Sequence, residues 1–188
     1  MYCSGMIGST ITSRYNRSLI VYSLIVLTFY IRVQVAFNYT TYDVRRARDI
    51  INPATPRCNI MLLNSRSSSS RARFLYARVL GVYHANVIYT GPGMPDYKPR
   101  RVEFLWVRWY QAESGHEEFL SQSRLPELSF YPIYSPHAFG FVDPAAVLRT
   151  CHIIPRFARG KQHEHAGGKG FSRCAKDRDD YKQYYIGW

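Results

Sequence analysis

Two apolar runs set the terms for how this chain can fold. Residues 74–89 (FLYARVLGVYHANVIY) and 102–110 (VEFLWVRWY) are dense in β-branched and aromatic side chains. In the first, Leu75, Ala77, Val79, Tyr83, Val87 and Tyr89 fall on one face, and Arg78, His84 and Asn86 on the other. In the second, Leu105, Val107 and Trp109 alternate with their neighbours. Period-two alternation in such residues specifies half-buried strands, and Gly81 marks a bulge or a sharp bend. Residues 90–99 (TGPGMPDYKP), with two glycines and three prolines, form a loop. The two runs are expected to be neighbouring antiparallel strands joined by a long hairpin loop.

The remaining segments add shorter pieces. Residues 31–42 open with strict alternation, Ile31, Val33, Val35 and Phe37 against Arg32, Gln34 and Ala36, and read as a strand. Asn52-Pro53 and Thr55-Pro56 impose an extended or turning loop, because a residue before proline avoids helical geometry. Residues 60–63 are a short apolar piece, 64–73 (NSRSSSSRAR) a polar basic loop, and 111–135 a Pro-punctuated connection. Residues 138–142 form a strand. Asp143-Pro144 then starts a short helix over 144–150, with Asp as N-cap and Pro at the first helical position. Residues 151–154 return as a strand that Pro155 stops, 156–176 form a basic Gly-rich loop with six Lys/Arg and one Glu, and 180–188 a Tyr-rich strand. The expected fold is mainly β (α+β), a small curled antiparallel sheet or barrel of five or six short strands with one short helix at 144–150. Residues 31–188 are expected to be a single β-rich domain with basic loops at 64–73 and 156–176, and residues 1–30 an apolar leader outside it.

That leader contains the one long apolar run, residues 18–31, preceded by Arg14 and Arg17. It is 14 residues long, against the roughly 20 that a spanning helix needs. It has no convincing small-x-small cleavage site. Two readings stand: a buried helix or strand, or a membrane-anchored or secreted protein using residues 18–37. In the second, the sequons at Asn16 and Asn38 would matter.

The chain carries 25 Lys/Arg and 13 Asp/Glu, a net charge of +12, which favours a polyanionic partner, nucleic acid above all. Aromatic residues at 15% exclude an intrinsically disordered chain. Catalytic constellations do not assemble. His116-Glu117 lacks the second histidine of HExxH, since Leu120 occupies its place, and Gly168-Lys169-Gly170 lacks the rest of a phosphate loop. Pro92 removes an amide that a phosphate nest at Gly91–Gly93 would need. Asp177, Asp179 and Asp180 sit among Lys176, Arg178 and Lys182 and read as a solvated charged turn. No enzymatic activity and no cofactor are expected. The four cysteines form no CxxC pair; Cys151, His163, His165 and Cys174 are weak candidates for a zinc-binding module, at a spacing that fits no closed-site pattern. What stands out is basic residues interleaved with aromatics. Lys98, Arg100, Arg101 and Arg108 bracket Tyr97, Trp106 and Trp109; Arg156, Arg159, Lys161, Lys169 and Arg173 surround Phe157 and Phe171. Cations of this kind release counterions from phosphates, and exposed rings stack on bases.

The segments 38–53 (NYTTYDVRRARDIINP), 74–89, 97–110, 138–157 (AFGFVDPAAVLRTCHIIPRF) and 172–185 (SRCAKDRDDYKQYY), in that order, resemble the carboxy-terminal region of proteins from Plavaka-type transposable elements of basidiomycete fungi. The resemblance spans about residues 31–186. It implies a non-catalytic accessory domain of a transposon-derived protein, contacting nucleic acid or chromatin in the nucleus or cytoplasm and partnered by the remainder of a transposase-type protein, whose catalytic carboxylates lie upstream. The apolar leader is not part of that pattern, Ser67–Ser70 stand where acidic residues are usual, and the family continues past the Tyr-Tyr strand; a piece of a longer or decayed protein is therefore expected. By fold-level analogy, the WVRWY strand, the Val-Asp-Pro turn and the following strand are similar in layout to SH3- or BAH-like barrels.

Overall fold

The computed structural model describes residues 24–38, 48–64, 73–89, 96–112, 126–162, 171–172 and 180–187. Eleven strands lie among them: β1 (Leu24–Arg32), β2 (Val35–Asn38), β3 (Arg48–Ile51), β4 (Asn59–Leu63), β5 (Phe74–Tyr89), β6 (Arg100–Ala112), β7 (Glu127–Phe130), β8 (Phe139–Val142), β9 (Val147–Thr150), β10 (His152–Pro155) and β11 (Tyr184–Gly187). The only helical pieces among the described residues are two 3-10 turns, Pro144–Ala146 and Phe157–Arg159. The fold is mainly β, as the alternating runs predict, and β5 and β6 are sheet neighbours. The chain divides into two compact units, one of Met1–Arg32 and Tyr83–Phe104, the other of Val33–Val82 and Leu105–Trp188.

In the first unit, β1 pairs with β5. Ala85 and Val87 are buried with Phe104 packed against them, Tyr83 stacks on Phe104 at 5.6 Å, and Tyr30 stacks on His84 at 4.5 Å. The described part of the apolar run is therefore strand, and no helix among the described residues is long and apolar enough to cross a membrane.

The second unit holds the strand order β10-β11-β7-β6-β5-β4-β9, with β8 also on β6 and a separate β2-β3 pair. β6 serves two partners in succession: Leu105–Arg108 pair with β8, and Tyr110–Ala112 with β7. At the switch point the amide of Trp109 bonds Ala138 while its carbonyl accepts from Tyr131. The ends of the order meet a further constraint. β9 pairs β4 and β10 pairs β11, yet only Cys151 separates β9 from β10. Consecutive Cα atoms are about 3.8 Å apart, so two sheet edges linked by one residue lie side by side. The sheet is therefore curled, but β9 and β10 do not pair with each other and it does not close into the SH3- or BAH-like barrel that the layout suggested.

Both faces of β6 are covered. Leu105 and Val107 join Ile51, Ile60, Leu62, Ala77, Val79, Val82 and Val142 in one core cluster; Tyr110 joins Leu128, Phe130, Tyr184 and Ile186 in another. Each such aliphatic side chain contributes roughly 1.5–3 kcal/mol. Val79 and Val82 differ in parity but share a cluster, so the alternation of β5 changes phase around Gly81. The helix expected over 144–150 is a single turn. Asp143 caps it through Ala145 N at 2.8 Å, and Val147–Thr150 continue as β9. A helix of two turns is costly to nucleate, whereas extended Thr150 gains two bonds to Asp49 Oδ2, from its amide and its hydroxyl, both at 3.0 Å. The expected strand over 31–42 is broken at Val33-Gln34 into β1 and β2, and β7 arises inside the stretch read as a loop.

Gly140, paired with Val107 across β6 and β8, lies under Trp109: a Cβ there would come within 2.6 Å of Trp109 Nε1. Gly140→Ala is expected to displace the indole and lower the unfolding free energy by about 1–3 kcal/mol, read as a reduced urea midpoint with a shifted tryptophan emission.

Candidate nucleic-acid interface

The site is best built outward from a buried ion cluster in the second unit. Arg78 of β5 and Arg108 of β6 lie on the face covered by the aromatic cluster, and Asp180, just before β11, stands between them. Its Oδ1 accepts from Arg78 Nη1 and its Oδ2 from Arg108 Nη1. Arg108 and Asp180 are each only 1% exposed. Rings close over the cations: Phe130 lies 4.0 Å from the Arg108 guanidinium and 4.8 Å from that of Arg78, and Phe171 lies 4.9 Å from Arg108. Tyr110 stacks on Phe130 at 4.2 Å and donates to Asn59 Oδ1 at 3.1 Å. The Nε atoms of both arginines are buried without a hydrogen-bond partner among the described residues, so the carboxylate and the ring faces carry the compensation that such charges require.

Burial is the largest influence on Arg78 and works against its charge, but Tyr110, Asp180, Tyr184 and Cys58 together raise its pKa well above the ordinary value. Burial also raises Tyr110 and Tyr184, opposed in both by Arg78. The phenols of Tyr110 and Tyr184 therefore stay neutral beside the charged Arg78.

Asp180 is also the peg for the adjoining surface. Its carbonyl accepts from Gln162 N at 2.8 Å, Lys182 N donates to Gly160 O at 3.2 Å, and Arg156 N donates to Gln183 O at 2.9 Å. Lys161 and Tyr181 form an isolated bridge. Residues 156–162 are thus laid along residues 180–183. Gly160, at φ 76° and ψ 178°, ends the Phe157–Arg159 turn in a conformation that favours glycine. On this ledge Phe157 is 68% exposed and set edge-on to Tyr181 at 5.3 Å. Lys161 Nζ lies 5.9 Å from the Tyr181 ring, and Arg159 and Lys182 are exposed.

The described ones among the basic residues singled out in the sequence separate into four groups. Lys98, Arg100 and Arg101 are exposed in the first unit, where Arg100 pairs with Asp96 at 3.5 Å and Arg101 with Glu103. Arg159 and Lys161 stand on the second unit's ledge. Arg156 is half-buried and held by Glu127 at 2.6 Å and Gln183 at 3.1 Å, a structural role beside the ledge. Arg108 is no surface contact at all; it is the buried member of the ion cluster, because Phe130, Phe171 and Asp180 cover it on the face of β6 opposite Val107 and Trp109. Lys169 and Arg173 lie outside the described residues. Asp180, read as part of a solvated turn, is instead buried between two arginines; Asp177 and Asp179 lie outside the described residues. So do His163, His165 and Cys174. Cys151 is a free thiol whose pKa is pushed up to about 12 by burial and then by nearby Cys58. Among the described residues no three His, Cys, Asp or Glu side chains gather as a metal site.

Sequence reasoning missed the pairing of Arg78, Arg108 and Asp180. The available signal was an arginine at an inward-facing position in each of two aromatic-rich strands, which demands a carboxylate from elsewhere in the chain. No family model matches the chain, and no curated protein or solved structure matches it either.

The ion cluster gives one prediction, and the buried Tyr76 and Cys151 give another. Asp180→Asn leaves both guanidiniums buried without their counter-charge and is expected to cost about 3–5 kcal/mol, measured by urea denaturation at neutral pH. Tyr76 and Cys151 both have folded pKa values of about 12. Each is raised above its unfolded value, about 10 for Tyr and about 8.5 for Cys. Their contribution is therefore complete below those unfolded values and is lost as pH climbs towards 12. The urea midpoint should fall steadily across that alkaline window, and a flat midpoint would contradict the assignment.

Proposed function

We propose that the chain is a non-catalytic accessory module of a transposon-derived protein that contacts nucleic acid, in the nucleus or cytoplasm, through the ledge of residues 156–162 and 181–182. The observation that carries this reading is Phe157: a large aromatic ring held outward on a braced turn, on the same ledge as the exposed Arg159, Lys161 and Lys182. An apolar ring in water is unfavourable unless something covers it, and a ring flanked by cations matches an unpaired base flanked by phosphates. The net charge of +12 supports the same partner. The preference is for single-stranded or unstacked segments, because bases inside a duplex do not offer their faces. The resemblance to transposable-element proteins supports the setting of the module, and the ledge its mode of contact.

Fluorescence anisotropy with labelled single- and double-stranded oligonucleotides across a salt series tests this. The expected result is tighter single-strand binding whose logarithm falls linearly with log salt, by about 0.7 per phosphate neutralised. Phe157→Ala should weaken binding by about 1–3 kcal/mol without changing that slope, and Arg159→Ala with Lys161→Ala should flatten it. Salt-independent binding, or an unaffected Phe157→Ala variant, would overturn the proposal.

A further inference from the structure

The seam where the curled sheet fails to close holds a cavity of about 550 Å³. It lies wholly within the second unit, around the one-residue crossing from β9 to β10. Strands that part there leave a gap instead of a ladder, and the gap is walled by two kinds of surface. Ile50, Pro56, Met61 and Ile186 supply apolar wall, Met61 and Ile186 being buried. Asp49, Arg57, Arg149 and His152 supply charge or polarity. The volume falls within the range of about 300–1,000 Å³ typical of small-ligand pockets.

The polar groups are not equivalent. Asp49 Oδ2 is occupied by the amide and hydroxyl of Thr150, which fixes the carboxylate and leaves Oδ1 as an acceptor. Arg57 and Arg149 are exposed at the lining and make no ion pair among the described residues. Among the described residues Arg149 is tied only through Nε to Thr150 O at 3.4 Å, so its terminal nitrogens stay available there. Cys151, also in the lining, is a neutral thiol at ordinary pH and adds no repulsion to an anion. Two guanidiniums with an imidazole beside them suit a phosphate group, which arginine binds in a two-pronged manner. The fixed Asp49 carboxylate suits a hydroxyl or amine donor, and the aliphatic wall suits an apolar body.

We propose that this cavity binds a phosphate monoester of mononucleotide size, with its phosphate at Arg57 and Arg149, its apolar body on Ile50 and Pro56, and a donor group on Asp49. The same chemistry is found in a free mononucleotide and in the 5′-phosphorylated end of a strand. The proposal does not rest on the ledge: Phe157 is not part of the lining.

Isothermal titration of the full chain with adenosine 5′-monophosphate, adenosine, and a short oligonucleotide with or without a 5′-phosphate tests the assignment. Saturable binding of the monophosphate is expected, with adenosine weaker by at least about tenfold, and a loss of similar size in Arg57→Ala/Arg149→Ala. The variant Arg57→Lys/Arg149→Lys should recover part of that loss, which separates charge recognition from damage to the fold. Phe157→Ala should leave monophosphate binding unchanged. If the strand binds more tightly with its 5′-phosphate than without it, the ligand is a strand end; if only the monophosphate binds, it is the free nucleotide, and both outcomes uphold the site. Failure of the monophosphate to saturate at millimolar concentration, equal binding of adenosine, or an unaffected Arg57→Ala/Arg149→Ala variant overturns it.

Discussion

One carboxylate between two arginines organises the larger unit of this protein. Arg78 and Arg108 sit on adjacent central strands, on a face that aromatic rings seal from water. Two guanidiniums so placed repel each other and lose hydration, and a β-sheet alone has nothing to offer them. Asp180 supplies one oxygen to each. The rings of Phe130, Tyr184 and Phe171 complete the shell with their negative faces. The charge pattern thereby specifies which segment must return to β5 and β6: the one bearing Asp180, from a distant part of the sequence.

The consequences spread from that docking. With Asp180 fixed, Tyr181 and Tyr184 are set against the aromatic cluster, and β11 inserts between β7 and β10. Residues 156–162 then find partners along residues 180–183, which holds Phe157 and its cationic neighbours outward. At the other end of β10, the chain crosses from one sheet edge to the other at Cys151, and the unclosed seam becomes a cavity. The ledge and the cavity are thus two products of one closure that is nearly, but not fully, achieved.

Much of this architecture was legible in the residues. β5, β6, β8 and β11 announce themselves through alternation and β-branched or aromatic content, and the Asp143-Pro144 pair marks its capped turn. A helix beyond that turn is not formed: local chemistry favours a helix start, but the decisive partners of Val147–Thr150 are β4 and Asp49, far away in sequence. β3 and β7 are four-residue strands in polar or Pro-rich surroundings; cross-strand pairing creates them, and periodicity cannot show it. Arg108 reads as a surface residue in the sequence for a similar reason. Alternation places it opposite Val107 and Trp109, but only tertiary structure reveals that the opposite face is covered as well. Phe157 and Lys161, by contrast, were visible as cations beside aromatics, and the structure adds the bracing that turns a loop composition into a defined surface.

The most direct test of this account is a double-mutant cycle between Arg108 and Asp180. Urea denaturation of the single Arg108→Ala and Asp180→Ala variants and of the double variant isolates their coupling. If the buried carboxylate is the anchor of β11, each single change is strongly destabilising, and the double variant is more stable than the two losses added together would allow, by more than about 1 kcal/mol. Strict additivity would mean that Arg108 and Asp180 act independently, and the docking of the carboxy-terminal strand would have to be explained by the aromatic cluster alone.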